Sequence, residues 1–254
     1  MNKWRSKWQK IVVMAIATFI AAFIASDLAH PQINPQPTSA SDLPSPEVHP
    51  LPEFLVKWQD PSSSGDYFEQ IELTPLGYLV WSEFPVKIYV EQSQSREHTA
   101  ANQRFQQWTA AVKKAIAEWN DYVPLAEIVE RETADIIVLR SQPEREVKLN
   151  PDTGLYDIPR AIAAQTNYEF YLTKNPAVIA MRMTVQVSPN FTGVSLLATI
   201  RHELGHALGI WGHSPEATDA LYFSQVSDPP GISTRDINTL KKIYQQPTRL
   251  GWEI

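Results

Sequence analysis

Cysteine is absent from this chain of 254 residues. No disulfide can staple the fold, no thiolate can act as a nucleophile, and any metal must be held by nitrogen and oxygen. Positive charge is also scarce. The net charge is −6 and the isoelectric point about 5.5. No basic patch stands out beyond the first ten residues, which argues against a nucleic-acid partner. Glycines number only nine against twenty prolines, and the prolines are unevenly placed. What remains is ample for one packed domain, since 43% of the residues are hydrophobic and 10% aromatic.

Long apolar runs are missing except at the start. "MNKWRSKWQK" carries Lys3, Arg5, Lys7 and Lys10 without an acid, and "IVVMAIATFIAAFIA" follows from Ile11 to Ala25. A basic stretch ahead of an apolar one of this length reads as an export signal over residues 1–26. A permanent span usually needs about 20 apolar residues, yet no clean A-x-A cleavage site follows. A cleaved signal and a retained membrane anchor through residues 11–25 therefore both stay open. Either places the body outside the cytoplasm, in a periplasmic, extracellular or membrane-anchored setting. Residues 27–52 hold Pro31, Pro35, Pro37, Pro44, Pro46, Pro50 and Pro52 among polar neighbours. Such a stretch buries too little surface to offset its chain entropy, so a disordered linker is expected there. The folded body is then residues 53–254.

Within the body, Phe84, Val86, Ile88 and Val90 alternate as in a strand. Ala101, Phe105, Trp108, Val112, Ala115 and Trp119 recur at helical spacing and predict a helix over 99–122. "PLAEIVE" and "ADIIVLRS" read as short strands, the second apolar enough to be central. Period two predicts further strands over 160–172 and 177–187. A helix from Gly193 to Leu208 follows, then a loop, then a last helix opened by a Ser233/Asp236 capping pair. The fold class expected is α+β: a mixed twisted sheet with two main helices plus a C-terminal helix.

Three of the six histidines fall in "HELGHALGIWGHS", from His202 to Ser214. Residues i and i+4 of a helix lie about 40° apart around its axis, so His202 and His206 can reach one ion. Ser195, Ala198 and Thr199 share their face and leave it uncovered, while Leu197, Ile200, Leu204 and Leu208 anchor the other side. Glu203, about 100° around from His202, can hold a water on the ion without binding the ion. Gly209 stands where the helix must stop, which lets the chain return His213 as a third ligand. Three histidines leave one tetrahedral position open, the arrangement of a catalytic zinc site. His30, His49 and His98 are expected to be merely solvated.

"HELGHALGIWGH" matches the signature H-E-x-x-H-x-x-G-x-x-H and so resembles the metzincin superfamily of zinc peptidases. Ser214 after the third histidine resembles its matrixin branch. "EWNDYVPLAEIVERETADIIVLRS", from Glu118 to Ser141, is similar to the matrixin run from the first long helix through the next two strands. The likeness extends over about 84–246. It implies a metzincin-like catalytic domain acting on a peptide or protein substrate, with zinc on His202, His206 and His213 and Glu203 as general base. It also implies substrate docking along an edge strand, for which Arg160 to Leu172 is the segment and Ala164, Gln165 and Thr166 are the nearest candidates. Two departures stand out. The methionine of the turn beneath the zinc is replaced by Leu221, although Tyr222 matches. No propeptide cysteine exists to silence the site.

Other readings stay open at this stage. An exported zinc-binding interaction module without turnover uses the same histidines but has no need of Glu203. A different zinc family would take a downstream glutamate as third ligand. "NPDTGLYD", Asn150 to Asp157, has acids and a glycine and invites a calcium reading, but a plain loop suits it better.

Overall fold

In the computed structural model the described residues are 43–254 apart from 96, 144–147, 150–155 and 158–162, with backbone alone at 148–149 and 156–157. The export segment, residues 27–42 of the linker, and residues 150–155 of the calcium reading lie outside them. Among the described residues no helix is long and apolar enough to cross a membrane.

The elements are α1 (Glu53–Lys57), β1 (Val86–Val90), α2 (Ala100–Asn120), β2 (Leu125–Ile128), β3 (Ile136–Leu139), β4 (Lys148–Leu149), β5 (Tyr156–Asp157), β6 (Ala164–Leu172), β7 (Ile179–Val187), α3 (Gly193–Ala207) and α4 (Thr234–Tyr244). Five strands form one mixed sheet in the order β2-β1-β3-β7-β6. Neighbours in it are parallel except β6, which runs antiparallel to β7 over nine paired residues. The α+β class is thus as expected. β3 is central, and Ile136, Ile137 and Val138 are buried, which explains their unbroken apolar run. β7 alternates strictly between buried and half-buried residues. β4 and β5, a short antiparallel pair apart from the main sheet, had no clear period to announce them.

Helix α2 starts where Thr99 accepts a hydrogen bond from the Asn102 amide, and α4 opens with the full Ser233/Asp236 capping box. Helices α2 and α3 pack on one another, and α3 also lies along β6 and β7. Three side chains take up carbonyls of α3 and its C-cap: Trp119 Nε1 donates to Arg201 O at 2.9 Å, Trp81 Nε1 to Ala207 O at 3.0 Å, and the Tyr244 hydroxyl to the C-cap Leu208 O at 3.0 Å. Arg201 clamps Glu118 of α2 through Nε and Nη2 at 2.7 and 3.2 Å. The helix that carries the histidines is therefore held from several sides.

One boundary needs correction. Residues 43–52, assigned to the linker, belong to the folded body. Glu47 and Thr248 exchange backbone hydrogen bonds at 3.0 and 2.9 Å. His49, expected to be solvated, is buried; its ring stacks on Trp252 at 4.0 Å and its Nε2 meets Leu250 O at 2.7 Å. Proline content misled here because an extended chain can still pair at isolated positions and bury single side chains.

Candidate metal centre

Helix α3 ends as its sequence requires. Gly209 has a φ of 120°, and a Cβ there would collide with the Leu79 carbonyl oxygen. The chain turns through Ile210 to Gly212 and returns His213 beside His202 and His206. The three ligand atoms lie within 4.8 Å of one another.

The two helical histidines are oriented by backbone oxygens. His202 Nδ1 stands 2.9 Å from Ala220 O, and His206 Nδ1 stands 2.7 Å from Ile210 O. A carbonyl can only accept, so each Nδ1 carries the proton and donates. Both Nε2 atoms are then bare lone pairs, and they face each other at 3.0 Å. Two acceptors at that distance repel unless a cation lies between them. Burial reinforces the neutral form by pushing His202 down to about 4 and His206 to about 3, and it lowers His213 as well. Neutral imidazoles with oriented second nitrogens form a donor set that suits zinc, so the residues fit the expected ion.

Glu203 stands among them as a different kind of group. It is buried, and burial raises its pKa to about 7. Thr166 opposes that shift, its hydroxyl lying 2.7 Å from Glu203 Oε2 and 3.0 Å from Glu203 O. Among the described residues nothing donates to Oε1.

Leu221 is fully buried beneath α3. A Cβ on Gly205 would stand 2.6 Å from Leu221 Cδ2, so the glycine makes room for this side chain between the two helical histidines in sequence. The turn is held at both ends. Ser214 N donates to Leu221 O at 2.8 Å, and Asp236 accepts from Ala220 N at 2.9 Å and from Tyr67 Oη at 2.6 Å. Buried Asp219 binds Ser214, Ser233 and Arg235. Tyr222 lines a cavity of about 160 Å³ together with Ser195, Ala198, His202 and Glu203.

Of the edge-strand candidates, Ala164 and Thr166 have buried side chains, and Gln165 lines a second cavity of about 300 Å³ with the three histidines. Ser188 N donates to Ala163 O at 2.9 Å, which makes Ala164–Val187 and Thr166–Val185 pairs of the non-hydrogen-bonded kind. The backbone N–H and C=O of Ala164 and Thr166 therefore point away from β7, on the side of β6 where the described sheet ends.

The contact of Thr166 with Glu203 was not foreseen. Its one signal was a hydroxyl in phase with Ala164, Tyr168 and Phe170, the apolar positions of that strand. The carbonyls of Ala220 and Ile210 leave no trace in residue identity at all. No protein-family model matches the chain, and no curated protein matches it.

Proposed function

We propose that this chain is an exported zinc-dependent endopeptidase of the matrixin-like metzincin type. The observation that carries the reading is the pair of inward lone pairs at 3.0 Å beside a buried carboxyl raised to about 7. Zinc on His202, His206 and His213 would supply a Lewis acid that lowers the pKa of water towards about 7 and polarises a peptide carbonyl. Glu203, matched to neutral pH, takes the proton of the attacking water and passes it to the leaving amine. Thr166 holds Oε2, which leaves Oε1 for that proton. The outward backbone groups of Ala164 and Thr166 supply the rail on which an extended peptide adds as a further strand. Leu221 replaces methionine at nearly the same volume, a kind of swap that usually costs under about 1.5 kcal/mol. It supports the site by packing alone.

The test is zinc analysis of the full chain together with cleavage of a broad peptide library, with and without chelator. Glu203→Gln should keep zinc near one per chain and lose at least the roughly 100-fold typical of a missing general base. Each of His202→Ala, His206→Ala and His213→Ala should lose zinc and cleavage together. A Glu203→Gln protein without zinc makes the glutamate a ligand and defeats the proposed roles. Wild-type zinc protein that cleaves nothing points instead to an interaction module without turnover.

A further inference from the structure

The cavity of about 300 Å³ has a wall that the peptidase motif does not supply. Glu72 comes from the segment ahead of β1, well over a hundred residues before the histidines in the chain, and it lines this cavity with Gln165, Trp211, Gly212 and His213. Its place is built in. Glu72 N donates to Trp211 O at 2.8 Å, and Ile71 bridges Gly212 in antiparallel fashion. Gly212 is the residue that permits this approach, because a Cβ there would collide with the Gln70 carbonyl oxygen. The wall is thereby tied to the loop that delivers His213.

Apart from the ion that the three histidines would hold, side-chain charge in this cavity is one-sided. Its lining contains the carboxyls of Glu72 and Glu203 and neither lysine nor arginine. Glu72 is exposed, and among the described residues no cation pairs with it. It also stands outside the group of three histidines that could hold an ion. Next to it Trp211 is half-buried and braced by rings in T-shaped contact, Tyr168 at 5.0 Å and His206 at 5.9 Å. An unpaired carboxylate beside a fixed indole is a combination that favours a long cationic side chain, through charge at its head and apolar contact along its stem.

Resting on the peptidase reading above, we infer that Glu72 and Trp211 form a subsite for a lysine or arginine side chain of the substrate. A peptide lying along β6 crosses His202 and Glu203, which line both cavities, so one end of it passes this wall. Glu72 then selects which peptides are cut without taking part in the cut.

The experiment scans lysine, arginine, norleucine and glutamate through the three positions on each side of the cleaved bond, using the full zinc-loaded chain. Wild type should favour lysine or arginine over norleucine at one position, and Glu72→Gln should reduce that preference about fivefold, as for a favourable exposed ion pair. Glu72→Lys should favour glutamate there, and the wild-type preference should weaken as salt rises. Cleavage of peptides with norleucine at that position should be little changed by Glu72→Gln. A preference that survives Glu72→Gln overturns the inference while leaving the peptidase intact. Loss of zinc from Glu72→Gln also overturns it, since the carboxylate would then serve the ion. If wild type cleaves nothing, the peptidase reading fails by itself, and binding of fluorescent lysine and norleucine peptides to the zinc-loaded protein decides the subsite. Equal affinity for the two overturns it, and tighter lysine binding that Glu72→Gln abolishes supports it.

Discussion

Thr166→Val replaces a buried hydroxyl by a methyl of nearly the same shape and tests how Glu203 is held. The hydroxyl lies 2.7 Å from Oε2, and both residues are less than a tenth exposed. A hydrogen bond to a charged group contributes about 1.5–3 kcal/mol, and among the described residues the buried oxygen left behind has no other donor. Expressed wholly in the chemical step, that is roughly a 10- to 150-fold fall in kcat. The pH dependence has a definite sign. Burial raises the Glu203 pKa to about 7, while the Thr166 bond pulls it down. Removing the bond lets it rise further, and only the ionised carboxylate can take a proton. The acid limb of the kcat profile should therefore move to higher pH, with part of the loss regained in alkali. Thr166→Ser keeps the hydroxyl and should restore most of the activity. The assay is kcat and KM against pH for the three proteins, with zinc content and Tm as controls. A Thr166→Val enzyme with kcat within twofold of wild type and an unmoved acid limb would refute this account of Glu203.

Ala164→Pro removes a backbone N–H that points away from β7, so KM for peptides should rise about two- to tenfold, the worth of one hydrogen bond, with zinc content unchanged; an unaltered KM places the substrate elsewhere. Gly205→Ala drives a Cβ to 2.6 Å from Leu221 Cδ2. Overpacking of about 1–3 kcal/mol should outweigh the roughly 1 kcal/mol that alanine adds to a helix. Tm should fall, and a Tm above wild type would show that Leu221 leaves space. For metal-free protein, His202 and His206 fall to about 4 and about 3 on folding, against 6.5 unfolded. As pH drops below 6.5 the unfolded chain takes up their protons first, so they destabilise the fold progressively down to those values. Glu203 works the other way, its raised value favouring the folded state as pH falls from about 7 to 4.5. Two histidines outweigh one carboxyl, so Tm should fall with acid, and Glu203→Gln should steepen the fall. A Tm that rises between pH 6.5 and 4.5 would contradict that balance.

Much of the candidate centre was legible because its parts are local. A separation of four positions puts His202 and His206 on one helix face at 100° per residue, whatever surrounds the helix. Gly209 three residues later can take the positive φ that ends the helix, and the short span to His213 limits where the third ring can go. Alternation marked β1, β6 and β7, and the apolar run of β3 marked a central strand, since burial on one face or two writes itself into residue type. The linker boundary failed for the same reason: residues 43–52 owe their order to Thr248, Leu250 and Trp252, some 200 positions away. Thr166 meets Glu203 across 37 residues, and Glu72 meets Trp211 across almost four times that. No period relates such pairs, because their approach is set by how β6, α3 and the amino-terminal arm pack. Which carbonyls meet the histidines, which hydroxyl meets Glu203 and which distant carboxyl lines the cavity were decided by the tertiary structure alone, since backbone oxygens are the same in every residue and proximity across the chain is a property of packing.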